Sequence, residues 1–330
     1  MQIAVLSAGT WGISLAALLC NKGHTVRVWE FAQAVVDELL RTRRHPKLAH
    51  FEIPAAVAIS TDLRATLAGA EAVVCAVPAA HLRSTSRSAL AAGYAGQPYV
   101  ICSKGIEQGT LALLHEVAAQ ELGPTARGRV VLLSGPSHAE EVSRGLPTAV
   151  TVAGDSLEQA EAVQALFMTP RFRVYTQTDL VGVELGAALK NVIAISCGIS
   201  DGLGFGDNAK AGLVTRGLAE ILRLGLAMGA RAETFYGLAG MGDLVVTCMS
   251  RHSRNWRFGS LIGQGRSAEQ ALAEVGMVVE GYYTVQAAVA LARREAVEMP
   301  ITEAVAAVLF QGLKPLEAVG GLMLRGAKGE

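Results

Sequence analysis

Along the first half of the chain, short apolar runs alternate with longer stretches whose apolar positions recur every three or four residues. Ile3–Leu6, Thr25–Trp29, Ala72–Ala76, Tyr99–Cys102, Val130–Leu133 and Thr148–Val152 have the length and β-branched content of strands. Ile13–Lys22, Leu111–Leu122 and Leu157–Phe167 carry the helical period. Strands that are apolar almost throughout are buried on both faces, and strands separated by helices pair in parallel. The strand-rich pattern ends at Arg173–Tyr175. Beyond Asp179 the pattern is helical, broken by loops at Gly202–Gly206, Gly237–Gly242 and Arg251–Asn255. This predicts an α/β chain of two domains. Residues 1–178 form a parallel sheet covered by helices, and residues 179–330 form an all-α domain.

A length of 330 residues supports two domains with a sizeable core. The 29 basic residues balance 29 acidic ones, so no broad field exists for nucleic acid or an anionic membrane. The one basic cluster, Arg41, Arg43 and Arg44, reads as a solvated helix end. Apolar residues make up 51% of the chain but are spread along it, and the most apolar helix is interrupted by Glu184 and Lys190. No uninterrupted run reaches the roughly 18–20 residues of a membrane span. Met1 leads directly into a strand, so no signal peptide is expected. Five cysteines, Cys20, Cys75, Cys102, Cys197 and Cys248, are odd in number and without CxxC spacing. They read as free thiols in the cytoplasm, with neither a disulfide framework nor a metal site.

Candidate chemistry begins at the first turn. Ile3-Ala-Val-Leu-Ser-Ala-Gly-Thr-Trp-Gly12 runs from strand through tight turn into helix, the context in which a glycine-rich fingerprint binds a dinucleotide. Gly9 lets the backbone approach a pyrophosphate, Gly12 lets the helix pack on the strand, and the helix N-terminus offers N–H groups to phosphate. The first glycine of the pattern is replaced by Ser7. Glu30, at the end of the second strand, can accept from the adenosine ribose hydroxyls and would repel a 2′-phosphate, which favours NAD over NADP.

Three further segments place polar groups among small or apolar residues. Lys104 follows a strand at the carboxyl end of the sheet, where such folds bind ligands. Lys190 and Asn191 lie on a helix rich in glycine and alanine. Gly240-Met-Gly-Asp243 precedes Ser253-Arg-Asn255. Charged groups in such surroundings are costly unless paired or binding something.

With Ser134-Gly-Pro-Ser-His-Ala139, Leu189-Lys-Asn-Val-Ile-Ala194, Gly240-Met-Gly-Asp-Leu244, Ser253-Arg-Asn255, Val279-Glu-Gly281 and Glu298-Met-Pro-Ile-Thr-Glu303 in this order, the chain resembles the NAD(P)-dependent glycerol-3-phosphate dehydrogenases from about residue 2 to 325. The resemblance implies a Rossmann-like N-terminal domain, interconversion of dihydroxyacetone phosphate and sn-glycerol 3-phosphate for phospholipid synthesis, NAD or NADP as cofactor, no metal, and a cytoplasmic homodimer. It makes Lys190 the proton donor and acceptor, Lys104 a neighbouring cation that stabilises the developing oxyanion, and Asp243 the group that orients Lys190. Arg254 and Asn255 suit the substrate phosphate. Gly135, Ser137, Asn191 and Ser253 line the substrate pocket, with Thr247 a further candidate. Gly9, Thr10, Trp11, Gly12, Glu30, Ala139, Val278 and Glu280 contact the cofactor, and Lys104 and Arg254 border it. His138 reads as structural. The alternatives are a related dehydrogenase of a β-hydroxy acid or ketopantoate, disfavoured by Lys104 with Arg254-Asn255, and a non-catalytic NAD-sensing regulator, which would have no need of Lys104, Lys190 and Asp243.

Overall fold

The computed structural model describes residues 1–327, so the last three residues of the expected second domain, 328–330, lie outside the described residues. The chain forms two compact units. The first comprises Met1–Lys104 and Ala112–Leu180. The second comprises Gly105–Leu111 and the described chain from Val181 onward.

The first unit carries eight strands: β1 (Gln2–Leu6), β2 (Thr25–Trp29), β3 (Ala58–Ser60), β4 (Ala72–Cys75), β5 (Tyr99–Ile101), β6 (Val130–Ser134), β7 (Thr148–Gly154) and β8 (Phe172–Gln177). Its helices are α1 (Thr10–Asn21), α2 (Gln33–Thr42), α3 (Leu63–Leu67), α4 (Leu82–Ala91), α5 (Leu114–Leu122), α6 (Ala139–Val142) and α7 (Leu157–Phe167). The strands lie in the order β3-β2-β1-β4-β5-β6-β7-β8. From β1 the chain builds outward first through β2 and β3, then returns to place β4 on the other flank. That reversal makes the carboxyl ends of β1 and β4 the topological switch point, where open α/β sheets hold ligands. Ile3, Val5, Val74, Val100 and Val131 are fully or almost fully buried in one core with Ile13, Leu15 and Leu19 of α1.

Three details depart from the sequence pattern. The sheet is not parallel throughout: β7 runs antiparallel to β6, and β8 follows β7 in parallel. β7 is almost as buried as its neighbour β6, and an apolar pattern reports burial but not direction. The connection from β6 to β7 contains only the four-residue α6, too little to cover a parallel crossover. The short edge strand β3 carries too few apolar residues to stand out. Helix α5 starts at Leu114, not Leu111, because Leu111 has φ +60° and the Leu113 N–H is taken by the Glu116 carboxylate at 2.8 Å.

The second unit is helical: α8 (Leu180–Gly202), α9 (Asp207–Ala227), α10 (Ala232–Tyr236), α11 (Asp243–Met249), α12 (Arg254–Gly263), α13 (Ala268–Val275), α14 (Glu280–Arg294), α15 (Pro300–Phe310) and α16 (Pro315–Met323). Helix α8 is long and apolar enough to cross a membrane by length and composition, but 89% of its most apolar window is buried in the protein. It is the core helix of this unit. Its crossing with α12 is made by glycines: a Cβ on Gly198 would lie 2.1 Å from the Trp256 carbonyl oxygen, and one on Gly259 would lie 2.1 Å from that of Ile195. Glu220 of α9 accepts from the Ile301 and Thr302 N–H groups at 2.6 and 3.2 Å and from the Thr302 hydroxyl at 3.1 Å. A carboxylate thereby caps the positive end of α15.

Candidate functional site

In the first unit the turn from β1 to α1 is shaped by Gly12. A Cβ there would fall 2.1 Å from the Ser7 carbonyl oxygen, so only glycine lets the helix leave the strand so closely. Gly9 caps α1 with φ −64° and ψ 171° and without a side-chain hydrogen bond. Among the described residues, the N–H groups of Thr10, Trp11 and Gly12 donate to no protein acceptor. Helix α1 begins three residues earlier than its apolar period suggests, which puts these donors at the turn itself. Ser7, where the fingerprint expects glycine, has φ +102°. That conformation costs an L-residue on the order of 1–3 kcal/mol. Its hydroxyl accepts from the Gly9 N–H at 3.2 Å, which holds the turn.

Glu30 follows β2 and is 7% exposed. Its carboxylate accepts from the Ala8 N–H at 3.1 Å and the Ala32 N–H at 3.4 Å, tying the second strand to the first turn. Trp11 is half-buried and packs on the core of the unit. Ala139 starts α6, and its carbonyl accepts from the Ser14 hydroxyl of α1 at 3.3 Å. Beyond β5, Lys104 donates from Nζ to the Gly135 carbonyl at 3.3 Å, and the Ser137 hydroxyl donates to the same oxygen at 3.0 Å. Gly135 has φ +135°, and a Cβ there would meet Val150 Cα at 2.9 Å. The fold thus gathers Lys104, Gly135 and Ser137 into one cluster.

In the second unit, Lys190 on α8 is 5% exposed and Asp243, first residue of α11, is 1% exposed. Lys190 Nζ donates to Asp243 Oδ1 and, at 2.8 Å, to Thr247 Oγ1. The Thr247 hydroxyl passes its own hydrogen to the Asp243 carbonyl at 2.5 Å. The expected loop at Gly237–Gly242 is a π-helical turn, Leu238–Gly242, that feeds straight into α11. Glycines explain its closeness. A Cβ on Gly240 would sit 2.2 Å from the Phe235 carbonyl oxygen, and one on Gly186 of α8 would sit 2.8 Å from that of Ala239. The turn lies against α8, and Asp243 thereby reaches Lys190.

The expected loop at Arg251–Asn255 ends two residues early, because Ser253 caps α12 by accepting from the Trp256 N–H at 3.2 Å. Asn255 donates from Nδ2 to Asn191 Oδ1 at 2.9 Å and accepts at Oδ1 from the Gly281 N–H at 2.9 Å. Asn191 donates to the Ala187 carbonyl at 3.4 Å. The two asparagines therefore lock α8, α12 and α14 together, and a Cβ on Gly281 would stand 2.8 Å from Asn255 Oδ1. Arg254, half-buried, donates from Nη1 to the Val278 carbonyl at 3.0 Å, just before Glu280 opens α14. The sequence reading missed Gly186 and Gly281 as shaping residues. Their signal is glycine inside a helix, where it costs about 1 kcal/mol relative to alanine without a packing reason.

The second unit holds a buried lysine paired with an acid, and the first holds a dinucleotide-type turn, which together are the equipment of a carbonyl-reducing enzyme. Residues 2–160 match the model for the N-terminal part of the NAD-dependent glycerol-3-phosphate dehydrogenases, and residues 179–320 match that for the C-terminal part. A glycerol-3-phosphate dehydrogenase [NAD(P)+] of Pelotomaculum thermopropionicum is 51% identical over 98% of this chain and 93% of its own length. One from Bacillus pumilus is 48% identical over 98% and 94%. The crystal structure of glycerol-3-phosphate dehydrogenase from Coxiella burnetii superposes with a TM-score of 0.93 at 39% identity, covering 98% of this chain and 99% of that one. The chain belongs to the NAD-dependent glycerol-3-phosphate dehydrogenase family.

Proposed function

We propose that the chain interconverts dihydroxyacetone phosphate and sn-glycerol 3-phosphate, with residues 1–178 as the dinucleotide-binding domain and residues 179–330 as the helical catalytic domain. The observation that carries this is the buried Lys190–Asp243–Thr247 cluster. The turn fits the dinucleotide. Three N–H groups are available at the head of α1, and a Cβ built on Gly9 would find no atom closer than 3.4 Å. Gly9, Thr10, Trp11 and Gly12 would hold the pyrophosphate, and Glu30 the adenosine ribose, with Ala139, Val278 and Glu280 as further contacts. A 2′-phosphate would set like charge beside Glu30, which supports NAD over NADP. When bound, NADH would supply the hydride that reduces the ketone carbon.

Lys190 supplies the proton that converts the resulting alkoxide to the secondary alcohol, and takes it back in the reverse direction. Asp243 and Thr247 fix its ammonium, so little orientation is lost when the proton moves. Lys104 adds a second positive charge for the oxyanion, with Gly135 and Ser137 beside it. Arg254, Asn255, Asn191 and Ser253 take the phosphate end, where a guanidinium fork meets a dianion well. No metal is called for, since lysine does the polarising. Five free cysteines support a reducing compartment, the cytoplasm. The product is a precursor of glycerophospholipids, and the homodimer implied by the family is the expected assembly.

The test is spectrophotometric: oxidation of NADH and of NADPH is followed separately with dihydroxyacetone phosphate. Turnover with NADH is expected, and none with either cofactor in folded protein would sink the assignment. A strong NADPH preference would refute the role of Glu30. Lys190→Ala should lose about 10²–10⁴ in turnover while NADH affinity stays within about twofold.

A further inference from the structure

Ser7 is a departure from the fingerprint that the dehydrogenase reading leaves unused. Among the described residues four non-glycine residues have positive φ. Arg43, Leu111 and Ala296 lie at 51–60°, the left-handed helical region that side chains enter at helix ends and turns. Ser7, at 102°, lies outside it, in backbone territory that glycine enters freely. Strain of this kind persists where the surrounding structure over-determines it, and it clusters at functional sites.

Ser7 Oγ accepts the Gly9 N–H at 3.2 Å, which orients the oxygen and leaves its own hydrogen without an acceptor among the described residues. Around the open face of Gly9, the one atom within 4 Å of a built Cβ is this same Oγ, at 3.4 Å. The backbone of Ser7 is engaged elsewhere. Its N–H donates to the Trp29 carbonyl at 2.9 Å, and its carbonyl oxygen faces Gly12. The side chain is therefore free to border the space over the head of α1.

We infer that the Ser7 hydroxyl is a binding group for the dinucleotide, donating its hydrogen to a pyrophosphate oxygen at the helix N-terminus. This rests on the dinucleotide reading of the turn. The serine takes the Gly9 N–H away from the ligand and offers an O–H in its place. A hydroxyl donating to a phosphate is a charge-assisted hydrogen bond. The strained backbone is then the cost of placing that donor.

The two effects separate in the variants. Ser7→Gly releases the strain and removes the donor, whereas Ser7→Ala keeps the strain and removes the donor. Isothermal titration with NADH should show Kd raised in both by up to about tenfold, equivalent to about 1.4 kcal/mol, the released Gly9 N–H replacing only part of the lost donation. Thermal unfolding without cofactor should place Ser7→Gly above Ser7→Ala, the reverse of the order at a position with ordinary φ. NADH binding by Ser7→Gly or Ser7→Ala as tight as in the parent, or tighter, would overturn the role of Ser7 alone. A parent chain that binds neither NADH nor NADPH would overturn the dinucleotide reading with it.

Discussion

Asp243→Asn removes one negative charge from a buried pair without changing its shape. What remains is the Lys190 ammonium, 5% exposed, with the Thr247 hydroxyl at 2.8 Å and an amide where the carboxylate stood. Breaking a buried pair by deleting one partner costs about 3–5 kcal/mol, because the surviving charge is left uncompensated. An independent limit comes from proton chemistry. A free lysine gives up its proton near pH 10.4, so discharging one at pH 7 costs about 4.6 kcal/mol. The chain can always escape by that route, and the two estimates meet at about 4 kcal/mol. Urea unfolding followed by far-UV circular dichroism should show this deficit in the second unit. Adding Lys190→Met to Asp243→Asn removes the stranded charge and should restore about 2 kcal/mol or more, a strongly non-additive result. An Asp243→Asn protein within about 1 kcal/mol of the parent would refute the picture of a desolvated, mutually dependent pair.

Gly259→Ala should destabilise the second unit by about 2 kcal/mol or more in thermal or urea unfolding, although alanine is the better helix former by about 1 kcal/mol. The cause would be the Cβ 2.1 Å from the Ile195 carbonyl oxygen, and a stabilised variant would contradict the close α8–α12 crossing. Burial raises the Glu220 carboxyl, against the pull of the Ile301 and Thr302 donors. The folded chain is then the better proton binder, so this contribution is fully present below the ordinary carboxylate range and is lost as pH rises through the raised value. Glu220→Gln should flatten the stability profile over that window, by up to about 1.36 kcal/mol per pH unit, and an unchanged slope would count against it. Thiol labelling of the native protein should find Cys20 alone reactive, since Cys75, Cys102, Cys197 and Cys248 are buried and burial pushes the Cys75 thiol up to about 11. Cys20→Ser should abolish the native signal, and all remaining thiols should react in denaturant.

Apart from the short edge strand β3, the strands of the first unit were legible because a doubly covered strand is apolar at nearly every position, as Ile3–Leu6 and Val130–Leu133 are. Strand direction was not, since β7 would look the same running either way. The β1–α1 turn was legible from the spacing of Gly9 and Gly12, whereas the conformation of Ser7 depends on how tightly Gly12 brings α1 back over it. At the chemical end, Lys190 and Asp243 are 53 positions apart, and no period or local pattern connects them. Their pairing was an expectation from family resemblance. The structure supplies its physical basis in Gly186 and Gly240, which let the π-helical turn settle on α8. Asn191 was expected in the pocket lining and Asn255 at the substrate phosphate, and their mutual hydrogen bond lay beyond what single residues could announce.

Lys190 and Asn191 are successive residues of α8, and a helix directs successive side chains about 100° apart. One meets Asp243 of α11, and the other meets Asn255 of α12. In the proposed mechanism, the proton donor and the partner of the phosphate-side Asn255 are therefore mounted on the same half-turn of one buried rod. Any slide or rotation of α8 displaces both by the same amount, so their spacing is immune to that motion. On that proposal α8 would act as a common datum from which both ends of a three-carbon substrate are measured, in a site where small misplacements set the rate.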